Sequence, residues 1–181
     1  MSVKMQVNVT FPDGAVKGYD AGTTIEDVAQ SISPGLRKKA IAGKLNGNVV
    51  DLNRTIEEDS SIEIITLDQP EGLGVLRHST AHLLAQAVKR LYPNAKFGVG
   101  PVIEDGFYYD IEMDDKLTPE DLSKIEAEMN RVVKADYPIQ RKEISREAAI
   151  KLFTEIGDHL KLELIRDLSE DEQITIYEQG E

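Results

Sequence analysis

VKMQVNVTFPDGAVKGYDAGTTIEDVAQSI, residues 3–32, decides the class of the fold. Its first part places Val3, Met5, Val7, Val9 and Phe11 on one side of an extended chain with polar residues between them, the period of two that a half-buried strand requires. Pro12, Asp13 and Gly14 then supply turn chemistry, so a second short strand through Tyr19 returns as a hairpin. Beyond it Thr23 and Thr24 stand where a helix N-cap is needed, and Glu26 and Asp27 fall in the first turn, where acids suit the helix dipole. Ser33, Pro34 and Gly35 predict the end of that helix.

Working outward, Ile41–Leu45, the Asn46-Gly47 turn, Val49–Leu52 and Ile62–Leu67 predict further strands, and the order of two strands, one helix and more strands predicts a β-grasp over residues 1–66. Residues 67–72, LDQPEG, combine Pro, Gly and acids and are the expected linker. From 73 to 181 the patterns alternate between helix and strand. A helix over 73–92 carries an apolar stripe of Leu76, Thr80, Leu83, Leu84, Ala87, Val88 and Leu91, and Pro93-Asn94 end it. Val99–Ile103 and Phe107–Ile111 flank Asp105-Gly106 as a hairpin, and Thr118-Pro119-Glu120-Asp121 open a second helix. A strand near 139–144, a helix over 145–156, a segment at 160–168 and a strand at 174–177 follow. The whole chain reads as α+β, a β-grasp followed by a second α+β domain.

The composition narrows the chemistry. Of 181 residues 40% are hydrophobic and 30% charged, with a net charge of -12. Residues 1–66 hold 7 basic and 9 acidic side chains and residues 67–181 hold 14 and 24, so the second part sits at -10. A protein that grips nucleic acid by phosphate neutralisation alone is basic, and this one is not; weak tRNA binding by the chain is the expectation. No apolar run approaches the roughly 20 residues that span a bilayer, and no secretory h-region opens the chain, so a cytoplasmic protein without membrane association is expected. With no cysteine, imidazole and carboxylate are the available ligands and bases, and the histidines are His78, His82 and His159.

His78 and His82 are four residues apart on the helix, which places them one turn apart on one side, roughly opposite the leucine stripe. Such a pair can hold a metal, position a water, or bind a phosphate or hydroxyl, but spacing alone favours two histidines that decorate a solvated helix face. A metal site is not expected, since two ligands do not fill a tetrahedral shell and Ser79 stands where a zincin needs Glu. Gly98-Val99-Gly100-Pro101 lacks the Gly-Lys-Ser/Thr ending of a phosphate loop and reads as the approach to a hairpin. Tyr108 and Tyr109 point to opposite faces of a strand, Lys161 lies among apolar neighbours in LKLELI, and His159 falls in an apparent surface loop.

The succession of FPDG, ISPGLRKKAIAGKLNG and EGLGVLRHSTAHLLAQAVKRLYPNAKFGVGPVIEDGFYYD resembles the N-terminal region of the bacterial threonyl-tRNA synthetase family over nearly the whole chain, with HSTAH matching an H-x-x-x-H motif of that family. The resemblance implies a TGS domain of the ubiquitin-like β-grasp type, then an editing domain of the threonyl/alanyl-tRNA synthetase type. It implies catalytic roles for His78, His82 and Lys161 and a substrate-binding hydroxyl at Tyr108 or Tyr109. The family's D-x-C-R-G-P-H segment, whose Cys-x-x-x-His completes the same site, has no counterpart before Glu181, so the chain is expected to be a fragment with half of the site and no activity of its own. The parent enzyme implied by the resemblance attaches threonine to its tRNA with ATP, uses magnesium and a zinc ion in a catalytic domain absent here, forms a homodimer through absent domains, and hydrolyses mischarged seryl-tRNA. No cofactor is expected within these 181 residues. The competing expectation is a non-catalytic TGS-type binding or regulatory module.

Overall fold

The structure, a computed structural model, describes residues 5–114 and 116–180, which fall into two compact units, one up to Arg77 and one from His78 onward. The predicted start of the first strand at Val3 lies outside the described residues.

In the first unit β1 (Gln6–Thr10) pairs antiparallel with β2 (Val16–Asp20) and parallel with β7 (Ser60–Thr66), which pairs antiparallel with β4 (Ala40–Leu45), itself antiparallel to β5 (Asn48–Val50). The order β2-β1-β7-β4-β5, with the first and last long strands parallel at its centre, is that of a β-grasp. A second ribbon joins β3 (Thr23–Thr24) to β6 (Thr55–Ile56). Alternation makes the core: Val7 and Val9 of β1, with Ile62 of β7, meet Ile25 and Val28 of α1 (Ile25–Ile32) and Ile56. α1 starts at a complete capping box, in which Thr24 accepts from the Asp27 N–H and Asp27 returns the bond to Thr24.

The stop expected at Ser33-Pro34-Gly35 is a change of direction rather than an exit from helix. Ser33 closes α1 in an extended conformation and its hydroxyl then accepts from the Leu36 N–H, so it caps a further helix, α2 (Pro34–Lys39), with Pro34 in the first turn. Proline is tolerated there because that N–H has no intrahelical partner in any case.

α3 (Pro70–Leu91) begins three residues earlier than the sequence reading places it, at a proline again. Its first turns belong to the first unit: Gly72 is buried where a Cβ would stand 2.8 Å from the Thr66 carbonyl carbon and closer still to its oxygen. The apolar stripe therefore serves two units. Leu76 is 46% exposed and Leu83 only partly buried, while Ala81, Ala87 and Val88 are fully enclosed.

In the second unit β8 (Lys96–Phe97) pairs with β11 (Ile111–Glu112), and inside that pair β9 (Val102–Ile103) and β10 (Gly106–Phe107) close the Asp105-Gly106 hairpin. α4 (Pro119–Ala135) repeats the capping box with Thr118 and Asp121, and its Ile125 packs with Ala87, Val88, Ala95 and Phe97. Glu128 of α4 is buried between Arg90 at 3.3 Å and Arg131 at 2.9 Å. β12 (Ile139–Ile144) pairs antiparallel with β13 (Ile174–Gln179), and α5 (Arg146–Ile156) and α6 (His159–Asp167) build a small core of Ala149, Ile165 and Ile174 between them. Gly157, in the left-handed region at φ 71°, ends α5, and Asp158 immediately caps α6. The segment expected at 160–168 is this helix, and its start is what aims Lys161.

Candidate functional site

α3 carries His78 and His82 on one side, and their Nε2 atoms lie 3.0 Å apart with the rings edge to face at 85°. At that separation one ring nitrogen donates to the other, so at least one imidazole is an acceptor. Burial, then the charges of His78 and Lys161, hold the His82 pKa below the usual histidine value. The neutral form of His82 is therefore favoured.

Lys161 comes from α6, close enough for its charge to act on His82, and its hydrogen-bond partner is 63 residues away in sequence. Its Nζ donates to the Gly98 carbonyl at 2.9 Å and stands 5.9 Å from the centre of the Tyr109 ring. Burial lowers its pKa, and Asp158, buried at the N-cap of α6, opposes that shift. One ammonium proton is committed to Gly98 and two are free for a ligand.

The structure separates the two tyrosines. Tyr109 packs edge to face on Phe97, with burial raising its pKa, while Tyr108, in the irregular stretch between β10 and β11, is 49% exposed. The glycine-rich approach explains how Tyr109 fits, because a Cβ on Gly100 would stand 2.7 Å from two carbons of its ring. Gly98 N–H donates to Asp110 O and Asp110 N–H to Val99 O, each at 2.9 Å, so the segment is the expected hairpin approach. His159 opens α6 rather than lying in a loop, with its Nε2 3.3 Å from Glu112.

Thus His78, His82, Lys161 and Tyr109 gather on one side of the second unit, and Tyr108 and His159 do not join them. Two further residues escape a sequence reading. Tyr177 of β13 tilts its ring 6.3 Å from that of His82, and nothing local in ITIYEQ signals it. Gln86 stands one turn beyond His82, and its side-chain amide donates to the Gln179 carbonyl at 2.7 Å, tying β13 to α3 while its own Oε1 is buried without a donor. Its i+4 spacing from His82 was the available signal. Among the described residues no three His, Asp or Glu side chains assemble as a metal shell.

Over 175 residues the chain is 66% identical to the threonine–tRNA ligase of Geobacillus sp. (strain WCH70), covering 97% of this chain and 27% of that protein. The chain is similar to the N-terminal part of bacterial threonine–tRNA ligases. Threonine–tRNA ligase 1 of Bacillus subtilis (strain 168) is 63% identical, and the threonine–tRNA ligase of Staphylococcus epidermidis is 58% identical, each over 97% of this chain and 27% of the relative. Residues 7–66 match the TGS domain, which coincides with the ubiquitin-like sheet described above. The chain spans about a quarter of the length of these ligases. None of the helices among the described residues is long and apolar enough to cross a membrane.

Proposed function

We propose that the second unit contributes to an editing site that hydrolyses serine from threonine tRNA, and that the longer protein to which such a sequence belongs attaches threonine to that tRNA with ATP, magnesium and zinc handled by other domains. The observation that carries the reading is the convergence of two imidazole nitrogens 3.0 Å apart with the half-buried ammonium of Lys161. An ester hydrolase needs an oriented water, an acceptor for its proton and a positive group where the oxyanion develops. His82, whose neutral form is favoured, accepts the proton from a water inserted between the two imidazoles; His78 orients that water or the terminal ribose hydroxyl; Lys161 directs its free N–H groups at the oxyanion, and Tyr109 forms the wall beside it.

The need for such a reaction is physical. Serine lacks one methyl group of threonine, and a pocket shaped for the larger side chain rejects the smaller by only about 1–3 kcal/mol. A second site that removes the wrong ester closes the gap.

Deacylation of seryl-tRNA specific for threonine tests the proposal, with the 181-residue chain compared to one prolonged along its own reading frame. The short chain is expected to be inactive and the prolonged one active. In the latter, His78→Ala, His82→Ala or Lys161→Ala slows the reaction by roughly 100-fold or more, the usual loss of a positioned acid, base or oxyanion donor. Well-folded variants that deacylate at the unmutated rate would leave the TGS match as the basis of a binding or regulatory module instead.

A further inference from the structure

Residues 67–181 carry ten more acids than bases, yet three ammonium groups are gathered along one short strand. Lys89 of α3 donates to the Ala95 carbonyl at 2.9 Å, Lys161 donates to the Gly98 carbonyl at 2.9 Å, and Lys96 lies between those positions on β8. The Lys96 amine stands 3.8 Å from where a Cβ on Gly157 would be, at the turn that opens α6. Lys89 is seven residues beyond His82, two turns along the same helical face and about 10 Å down the axis.

The acids that face this cluster are already engaged. Asp158 is buried and accepts the Lys161 backbone N–H at 3.3 Å. Glu112 is the register partner of Lys96 across the β8–β11 pair, but its carboxylate lies 3.3 Å from His159 Nε2. Lys96 has no carboxylate within ion-pair distance among the described residues. Burial and the neighbouring charge of Lys96 together lower the Lys89 pKa, with Asp158 opposing them. Two half-buried cations side by side are unfavourable unless an anion joins them.

We propose that Lys89 and Lys96 form a phosphate subsite that holds the backbone of an RNA 3′ end while its terminal ester lies at His78 and His82. The subsite rests on the editing reading and deepens it. Lysine contacts to phosphate fix register without reading bases, which is the task of a site that must present one ester bond to a fixed water. A local pair of cations also answers how an acidic unit engages RNA at all: the charge is placed along the strand's path and not spread over the surface.

Binding to the 181-residue chain, followed by amide shifts in two-dimensional NMR, tests this with the trinucleotide CpCpA, the end common to tRNAs, and with adenosine as the phosphate-free control. CpCpA is expected to move the amides of Lys96, Phe97 and Gly157 as well as those of His78 and His82, whereas adenosine moves only the histidine group. Lys96→Gln weakens CpCpA binding about fivefold and flattens its salt dependence by roughly 0.7 in log–log slope, Lys96→Arg restores both, and adenosine binding is unchanged by either. Shifts at the histidines that leave 96, 97 and 157 untouched, or equal binding by the Lys96→Gln chain, would overturn the subsite and leave the editing reading standing. Shifts at 96, 97 and 157 with none at the histidines would instead separate the anion site from that reading, and no shifts anywhere would overturn the subsite.

Discussion

Two glycines two residues apart on α3 should respond to the same substitution with opposite signs. Helix propensity alone favours Gly→Ala by about 1 kcal/mol at an interior position. At Gly74 nothing lies within 4 Å of a new Cβ, so Gly74→Ala is expected to gain about 0.5–1 kcal/mol. At Gly72 the new methyl meets the Thr66 carbonyl, with its carbon at 2.8 Å and its oxygen nearer, and the Ile41 Cδ1 at 3.2 Å. A side-chain tip can swing away, but the end of β7 is backbone within the sheet. Overpacking of this kind costs about 1–3 kcal/mol, and a backbone obstacle places it at the top of that range. The propensity gain offsets part of it, which leaves a net loss of about 2 kcal/mol. For a unit of this size that is roughly 10 °C in Tm. Because the chain has two units, the assay must report the first: amide hydrogen exchange at Val9 and Ile62, both in its core, read alongside thermal melts. If Gly72→Ala protects these amides as well as Gly74→Ala does, the close approach of α3 to Thr66 is wrong.

The His82 imidazole should titrate below pH 6.5, and Lys161→Met should raise its midpoint by removing a nearby positive charge, both read from ring proton shifts. Its contribution to stability follows in sign: the unfolded chain takes up the proton first, so stability falls as pH drops from 6.5 through the folded pKa and is unaffected above 6.5. A His82 midpoint at or above 6.5 in the unmutated chain would contradict the crowding described for this ring. We also propose that residues 67–69, ahead of α3, are the accessible part of the expected linker at 67–72; brief chymotrypsin treatment should cut first at the exposed Leu67, and first cuts within 73–181 would count against that reading.

What the sequence determined by itself is what neighbouring residues settle among themselves. The alternation of Val7 and Val9, the capping box at Thr24 and Asp27, its repeat at Thr118 and Asp121, the Asp105-Gly106 hairpin and the shared side of His78 and His82 all depend on residues within about one turn or one hairpin, where spacing fixes direction. The misreadings were local too where two local rules compete: Ser33-Pro34-Gly35 reads as a stop, but a serine followed by proline is also a cap, and Ser33 serves as both, closing α1 and capping α2. Tertiary structure alone decided that β1 lies parallel to β7, that Leu76 is exposed although it belongs to the apolar stripe, and that Tyr109 rather than Tyr108 joins Lys161. It also decided the contacts that make the site, from Lys161 to Gly98 across 63 residues and from Gln86 to Gln179 across 93. Closing such distances costs chain entropy that no short pattern encodes, and it is repaid only by the packing of whole elements, so their side chains meet where the cores beneath them place the backbone.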